Sequence, residues 1–251
     1  MPVSREQLLA TLNELLEPSR FQDYCPNGLQ VEGCDVIHRL VTGVTACQAL
    51  LDAAVAEKAD AILVHHGYFW KSEAPSIVGM KGRRIRTLIR ADLNLYAYHL
   101  PLDSHPELGN NAGLGRAMGI ETFATVDPLN PSLPLFMGTL DQPRNQADIA
   151  HQLGEVLGRI VLSEGEKTVQ TIAWCTGGGQ GYIDMAADLG ADLFVTGEVS
   201  EQTIHSARER GIGFIAAGHH ATERFGVRSV GEWLAQHLGI EHQFIDIDNP
   251  A

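Results

Sequence analysis

The chain has 251 residues, 44% of them apolar, and a formal net charge of −13 at pH 7. This length and apolar content suffice for one large domain or two lobes with a substantial core. The negative charge disfavours general binding to nucleic-acid phosphates. The sequence lacks the run of about 18 apolar residues that a membrane helix needs, and residues 1–19 have the pattern of an amphipathic helix rather than a signal peptide. We therefore expect a cytoplasmic protein without membrane contact.

In the first half of the chain, apolar runs alternate with amphipathic stretches. Residues 38–46 and 60–66 are predicted strands, and residues 47–59 between them are a predicted helix. A basic helix over residues 81–90 precedes a third strand, which begins near residue 93. This alternation predicts a mainly parallel sheet flanked by helices. The buried stripe predicted for the basic helix is Ile85, Leu88 and Ile89.

The second half repeats this pattern. Its predicted strands lie within residues 168–179, 191–198 and 211–220, and its predicted helices lie within residues 182–190, 203–211 and 221–239. A proline-rich segment, residues 127–143, lies between the halves and cannot be wholly helix or central strand. We predict two intimately packed α/β lobes with mainly parallel mixed sheets. Their predicted bounds are 1–127 and 128–251.

Histidines and carboxylates follow the predicted strands at their carboxyl ends, where open α/β sheets bind ligands. A single histidine at a strand end is more often a hydrogen-bonded surface or packing residue, so their joint occurrence is the signal. Three imidazoles and two carboxylates suit zinc, iron(II), manganese or nickel better than calcium. The predicted metal ligands, at the carboxyl ends of three strands, are His65, His66, Asp103, His219 and Glu223.

Five ligands are more than a single catalytic ion usually takes from a protein. Side chains of neighbouring strand residues diverge, so His65 and His66 are expected to face two different ions while one carboxylate bridges them. The cluster contains no cysteine, which favours a catalytic site over a closed structural zinc site. The four cysteines also lack C-x-x-C spacing, so we expect no disulfide framework.

A glycine-rich turn and two further polar residues are weaker signals. Gly177, Gly178 and Gly179 lie at a strand-to-helix turn, where backbone N–H groups could cradle a phosphate, although a tight turn alone also requires glycine. The turn matches neither a P-loop nor the dinucleotide fingerprint. Glu198 and His205 follow the next strand. Either residue could face the pocket; the equally supported alternatives are that Glu198 caps a helix and that His205 is a surface histidine.

Two other stretches have competing interpretations. Residues 68–70, Tyr-Phe-Trp, could stack on a flat base, but such a trio more often packs a core. The basic helix, residues 81–90, holds five of the 18 Lys and Arg residues, and a solvated helix face is favoured over a phosphate-binding patch.

Several motifs, in order along the whole chain, resemble the dinuclear-metal-centre toroidal hexamer family, known as the GTP cyclohydrolase 1 type 2 homologues. The chain is similar to the short bacterial members without an inserted middle domain. One departure is Gly67, where that family often has proline after the paired histidines. The motifs that carry the resemblance are D-Y-C-P-N-G-L-Q-V-E-G, V-H-H-G-x-F-W, H-L-P-L-D-x-H-P-x-x-G-N-N, A-W-C-T-G-G-G-Q, T-G-E-V-S-E-Q-T-I-H-S-A-R-E and A-A-G-H-H-A-T-E-R.

The resemblance implies that the same five residues bind two divalent ions per subunit, with Glu223 as the bridge and His99 beside the metals. The identity of the ions stays open among Fe, Zn, Mn and Mg. It also implies a homohexamer, a trimer of dimers around an inner cavity. The expected activity is hydrolysis by a metal-bridging hydroxide, acting on GTP or a related purine nucleotide. His99 or His205 would shuttle protons, and the glycine turn would hold phosphate.

A two-metal centre equally supports hydrolysis of phosphoesters or amides, so the reaction class stays open at this point. The alternative of another class is a ring-shaped, metal-stabilised scaffold or nucleic-acid-binding protein without turnover, for example in DNA damage handling. Net charge disfavours DNA as the partner. Metal storage or delivery is a third hypothesis.

Overall fold

The computed structural model describes residues 2–251 and has a mixed α/β fold, as predicted. The strands are β1 (Val3–Ser4), β2 (Gly28–Val31), β3 (Val36–Ile37), β4 (Arg39–Thr45), β5 (Ala61–His66), β6 (Asn94–Ala97), β7 (Phe123–Thr125), β8 (Phe136–Asn145), β9 (Leu162–Glu164), β10 (Thr168–Cys175), β11 (Leu193–Thr196), β12 (Gly213–Ala216) and β13 (Glu241–Phe244). The helices are α1 (Arg5–Leu16), α2 (Gln48–Ala56), α3 (Gly79–Arg90), α4 (Leu100–Ser104), α5 (Asn110–Ala117), α6 (Gln146–Leu157), α7 (Ile183–Asp188), α8 (Glu201–Arg210), α9 (His219–Thr222) and α10 (Arg224–Leu238).

The chain forms two compact units. The first unit comprises the chain up to Leu102 together with Gly226–Asp248, and the second comprises Asp103–Phe225 and Asn249–Ala251. The proline-rich segment, residues 127–143, where the lobe boundary was predicted, runs from the loop after β7 into β8, and both strands pair within the sheet of the second unit. The chain passes between the units inside the short helix α4, where no change in composition marks the sequence.

The first unit contains a five-stranded sheet in the order β13-β4-β5-β6-β2. All neighbouring pairs are parallel except β2 with β6. Ile62 and Val64 of β5 point into a core formed with helices α2 and α3, and Leu63, which alternates with them, is also fully buried. Because both faces of the central strand are covered, β5 reads as a continuous apolar run.

The second unit contains a six-stranded sheet in the order β7-β8-β10-β11-β12-β9, in which only β10–β11 and β11–β12 are parallel. Alternate residues of its central strands enter two different cores. Trp174 and Val195 pack with α5 and α6, whereas Cys175 and Phe194 pack with α7 and α8. The period of two along each strand thus places helices on both faces and leaves the carboxyl ends of the strands for function.

Helix α3 corrects one detail of the prediction. Ile85 and Leu88 are buried as expected, but Ile89 is 63% exposed. The other buried residues of α3 are Lys81 and Gly82, which lie four and three residues before Ile85, so the buried face continues toward the start of the helix and not to Ile89. Across residues 2–251, none of the helices combines the length and the apolar character needed to cross a membrane.

Candidate metal centre

The paired histidines end the central strand of the first unit. Residue 66 pairs with Thr45 of β4, and Val64 pairs with Ala97 of β6, so the carboxyl ends of the three strands align. His99 follows β6 by two residues and therefore reaches the same edge. One ring nitrogen of each of these three histidines lies within 4.8 Å of the others. We call His65, His66 and His99 the first-unit cluster.

Each imidazole of the first-unit cluster is hydrogen-bonded at Nδ1. His65 Nδ1 lies 3.1 Å from the Tyr98 carbonyl oxygen, and His66 Nδ1 lies 3.2 Å from Thr45 Oγ1. A carbonyl oxygen only accepts, so the neutral His65 ring carries its hydrogen on Nδ1 and a lone pair on Nε2. Metal-binding histidines use this arrangement, in which one ring nitrogen is held by an oxygen and the other binds the ion.

The two histidine rings do not diverge as the alternation along a strand predicted. Their centroids are 4.5 Å apart, with 45° between the ring planes. The strand ends at this point, because Gly67 begins a turn held by Gln30. A Cβ atom at position 67 would lie 2.6 Å from Ala97 Cβ and would also collide with the Gln30 side chain, so this close approach requires glycine. Gln30 Oε1 in turn accepts a hydrogen bond from the Tyr68 backbone N–H at 2.7 Å.

The aromatic residues after the turn divide into two groups. Tyr68 is buried in the core and donates its hydroxyl hydrogen to the Ala46 carbonyl oxygen, and Phe69 packs against the same core. Trp70 is half-buried, and its ring lies 5.8 Å from that of His66 and 5.0 Å from that of His99. Only Trp70 of this trio is therefore placed beside the first-unit cluster.

In the second unit, Asp103 is buried, and hydrogen bonds hold its carboxyl group. Asp103 Oδ1 accepts from Asn110 Nδ2 at 2.9 Å and from Thr176 Oγ1 at 3.1 Å. A carboxylate oxygen of Asp103 lies within 4.8 Å of one of Glu223, which is also buried. If both are ionised, two carboxylates so close in a protein interior repel each other, and a divalent cation between them would relieve that repulsion.

His219 completes the second-unit cluster, which we define as Asp103, His219 and Glu223. His219 Nε2 lies 3.2 Å from Glu223 Oε1, and Nδ1 lies 2.7 Å from Glu198 Oε1. Burial alone would lower the pKa of His219, but the hydrogen bonds to and charges of Glu223 and Glu198 outweigh it and raise the pKa to about 9. The carboxylates thus already favour a positive charge at this position, which is what a metal ion would supply.

The glycine turn makes room for the second-unit cluster. Gly177 has φ +64°, and a Cβ atom there would lie 2.1 Å from Glu223 Oε1. The backbone N–H of Gly177 donates to Thr222 Oγ1, and that of Gly179 donates to Thr196 Oγ1. Two of the three N–H groups expected to cradle a phosphate are therefore used inside the unit. Phosphate binding by Gly177, Gly178 and Gly179 stays a prediction, and fewer backbone N–H donors are available for it than the sequence suggested.

The remaining predicted residues lie in different surroundings. Glu198, for which a helix cap was one interpretation, contacts His219, whereas the cap of α8 is Ser200. His205 is exposed on α8, and its proposed role in proton transfer stays a prediction.

All the cysteines are free thiols. Burial raises the pKa of Cys25 in the first unit to about 12. The pKa of Cys175 in the second unit is also raised, mainly by burial and in addition by the negative charges of Asp103 and Glu223.

Sequence reasoning assigned no role to three residues that contact the predicted site residues. Asp23 hydrogen-bonds to His99, Thr45 to His66, and Thr176 to Asp103. The only signal for Asp23 and Thr176 was their place in the motifs D-Y-C-P-N and A-W-C-T-G-G-G-Q, and Thr45 gave none. These residues fit the pattern in which a second layer of hydrogen bonds orients metal ligands.

This mixed α/β chain thus belongs to the class of proteins whose histidine and carboxylate groups, at the carboxyl ends of strands, are positioned to hold a metal ion. The model of the Duf34/NIF3 (NGG1p interacting factor 3) family matches residues 3–250. The chain belongs to this family, which confirms the resemblance seen in the sequence.

Relatives extend over the whole chain. A protein of Pseudomonas aeruginosa is 54% identical over 252 residues, covering 100% of both chains, and one of Vibrio cholerae is 56% identical over 249 residues, covering 98% of both. Both are named GTP cyclohydrolase 1 type 2 homolog. A solved structure of the protein ybgI, described as of unknown function, has 52% identity and a TM-score of 0.94, covering 99% of this chain and 100% of that one.

Proposed function

We propose that this chain is a dinuclear metal-dependent hydrolase in which His65, His66, Asp103, His219 and Glu223 jointly hold two divalent ions. Glu223 is the bridging ligand in this proposal. One observation carries it: the imidazoles of His65, His66, His99 and His219 are all hydrogen-bonded to an oxygen through Nδ1. Independent structural histidines have no reason to share this orientation, whereas metal ligands do.

Chain connectivity supports a single shared centre. The chain leaves the first unit at Leu102 and re-enters it at Gly226. Asp103 is the first residue after one of these crossings, and Glu223 lies three residues before the other. His99 lies four residues before Asp103, within one short stretch of chain. Two ligands of the second-unit cluster, and His99 of the first-unit cluster, are thus close in sequence to the points where the chain passes from one unit to the other.

The chemistry of the donors supports catalytic metals. Three imidazoles and two carboxylates suit zinc, iron or manganese, and the nearby Cys175 is kept as a thiol by burial and by the carboxylate charges. When bound, two such ions supply Lewis acidity and an activated water at neutral pH. The identity of the ions, Fe, Zn, Mn or Mg, is left to measurement.

The protein's own residues would bind the substrate and move protons. In this proposal, His99 carries a proton from the attacking water to the leaving group of the substrate, because its ring lies beside both paired histidines and is not one of the five ligands. Trp70 offers a half-buried indole next to His66 and His99, on which a flat base can stack. A planar substrate fits this arrangement, and the name shared by the relatives suggests GTP or a related purine nucleotide.

The first test is the metal content of variants in each cluster. We expect His66→Ala to reduce bound metal from about two ions to about one, and Glu223→Ala to remove both, because Glu223 is the proposed bridge. Elemental analysis of metal-replete protein measures this. The control is His151→Ala, since His151 is 78% exposed and pairs only with Glu155 among its ionic partners in residues 2–251. Unchanged stoichiometry in both variants would reject the assignment.

The second test is turnover. Purified protein loaded with Fe, Mn, Zn or Mg would be assayed against GTP, other nucleotides, phosphoesters and amides. GTP turnover by the wild type that is lost in Glu223→Ala supports the proposal, and no turnover with any metal or substrate rejects the hydrolase.

We also propose that the protein is cytoplasmic and assembles as a homohexamer, as the resemblance implies. Sedimentation of the metal-loaded protein would test the homohexamer.

A further inference from the structure

Asp23 is buried and accepts four hydrogen bonds. Its Oδ1 accepts from the Tyr24 backbone N–H at 2.6 Å and lies 2.7 Å from His99 Nδ1. Its Oδ2 accepts from Asn27 Nδ2 and from the Leu100 backbone N–H, both at 2.9 Å. Burial would raise the pKa of Asp23, but these hydrogen bonds and the charge of His99 lower it to about 2, so the group is an ionised acceptor at neutral pH.

This carboxylate is not arranged as a metal ligand. Asp23, Cys25 and His99 each place one ligand atom within 4.8 Å of the others, a spacing that would suit a metal ion. However, each Asp23 oxygen already accepts two hydrogen bonds, and burial raises the pKa of Cys25 to about 12, so Cys25 stays a protonated thiol. The arrangement therefore orients a histidine and leaves no lone pairs for a cation.

His99 is held at three points. Its Nδ1 faces Asp23, its backbone N–H donates to Asn27 Oδ1 at 2.7 Å, and its ring meets the Trp70 ring edge-on at 5.0 Å. Because an ionised carboxylate only accepts, the hydrogen of the pair lies on Nδ1. The neutral ring then has its lone pair on Nε2, the nitrogen farther from Asp23.

We propose that Asp23 is a positioning residue that fixes His99 in the Nδ1–H tautomer, so that Nε2 can exchange a proton during hydrolysis. This inference rests on the proposed function. His99 Nε2 takes a proton from the attacking water as the new bond to oxygen forms. The resulting imidazolium is stabilised by Asp23, and its Nε2 proton passes to the leaving group as that bond breaks, which restores the neutral ring.

Asparagine cannot replace Asp23, because donors surround both oxygens. An amide NH₂ group at Oδ2 would face the Leu100 backbone N–H, which cannot reverse its direction. An NH₂ group at Oδ1 would face the Tyr24 N–H and would force His99 Nδ1 to become an acceptor, with its hydrogen moved to Nε2. Either orientation loses contacts, and the second inverts the tautomer.

The experiment compares Asp23→Asn with Asp60→Asn. Asp60 lies in the same unit, and its Oδ2 also accepts two backbone hydrogen bonds, from His38 at 2.7 Å and Arg39 at 2.9 Å, but no imidazole. Histidine-specific ¹⁵N NMR of metal-free protein, with His99 assigned by His99→Gln, reports the tautomer. Metal content, kcat and KM are measured with GTP and Mn²⁺.

In wild-type protein we expect His99 to be protonated at Nδ1, and in Asp23→Asn we expect the Nε2–H form to become populated. The same variant should lower kcat about 10²-fold or more, with KM and metal content unchanged, whereas Asp60→Asn should change neither tautomer nor kcat. A wild-type ring protonated at Nε2 overturns the proposal without any variant. An equal loss of kcat in Asp60→Asn, or an unaltered kcat in Asp23→Asn, also overturns it.

Failure of the hydrolase proposal gives a different result. If wild-type protein turns over no substrate with any metal, the hydrolase is rejected, and the NMR comparison alone decides whether Asp23 fixes the tautomer. A tautomer change in Asp23→Asn then keeps the positioning role and rejects its use in hydrolysis.

Discussion

The two clusters present opposite chemistry and are built in different ways. The first-unit cluster consists of imidazoles at the aligned ends of β5 and β6, each oriented by an oxygen from a neighbouring strand or loop. The second-unit cluster consists mainly of carboxylates, and a glycine turn leaves the space in which Glu223 lies. The first is fixed by the register of a sheet, and the glycine beside it, Gly67, leaves space for Gln30, which is not a predicted ligand; in the second, Gly177 leaves space for the predicted ligand Glu223 itself. Substitutions should therefore disturb the second cluster more readily than the first.

The largest effect is expected for Gly177→Ala. Its φ of +64° would cost a residue with a Cβ atom about 1–2 kcal/mol, and displacing Glu223 would add about 1–3 kcal/mol. We expect a loss of a few kcal/mol in the free energy of unfolding, measured by urea denaturation, and loss of bound metal. The control is Gly181→Ala, because nothing lies within 4 Å of the added Cβ atom. If Gly177→Ala binds metal as wild type does, Glu223 does not depend on this turn.

The next effect concerns Asp23 and pH. The pKa of Asp23 falls from 3.8 to about 2 on folding. A carboxyl group whose pKa is lower in the folded state stabilises it above the unfolded pKa, by about 2 kcal/mol here. That contribution is lost as pH falls from about 4 to about 2. Urea denaturation of metal-free protein should therefore show that Asp23→Asn lowers the free energy of unfolding by its full amount at pH 6 and by less at pH 3. The same loss of free energy at both pH values would contradict this prediction.

A pair of isosteric variants compares the clusters directly. Thr176→Val removes a buried hydrogen bond to Asp103, which binds a cation as a charged carboxylate, whereas Thr45→Val removes one to His66, which binds a cation as a neutral ring. Hydrogen bonds to charged groups contribute about 1.5–3 kcal/mol and neutral ones about 0.5–1.5 kcal/mol. We expect both variants to weaken metal binding, Thr176→Val by more, in calorimetric titration with Zn²⁺ or Mn²⁺. Equal effects would show that the clusters tolerate loss of their orienting groups alike.

The smallest effect is expected for Glu198→Gln. Glu198 orients His219 through Nδ1, but its side chain is 44% exposed, so solvent weakens the interaction. The amide oxygen of glutamine can still accept the hydrogen bond, and only the charge is lost. We expect metal binding to weaken by less than about tenfold. Complete loss of metal in this variant would make Glu198 a ligand and not an orienting group.

Local patterns predicted the parts of the molecule that depend on short stretches of chain. The buried run before His65 and the alternation of strands and helices indicated the α/β fold, which the structure confirms. Edge strands such as β2 and β13 and helix α6 escaped, because short or weakly patterned segments take their structure from tertiary pairing. The boundary between the two units could not be predicted from the sequence, because the chain passes from the first unit to the second within helix α4 and not in a linker.

The candidate site divides in the same way. Strand ends and the family motifs pointed to the five predicted ligands, and the structure places these at two clusters. The orienting residues escaped because their partners are distant in the chain: Asp23 and His99 are 76 positions apart, and Thr176 and Asp103 are 73 apart. Only folding reveals which oxygen faces which nitrogen.

The buried thiols give each unit its own reporter of local opening. Cys25 in the first unit and Cys175 in the second are both shielded, and their raised pKa values keep them unreactive in the closed state. An alkylating reagent can reach each one only when its surroundings open. Mass spectrometry of timed alkylation, with and without metal, would therefore show which unit opens locally more often. It would also show whether a bound ion slows this opening in one unit or in both.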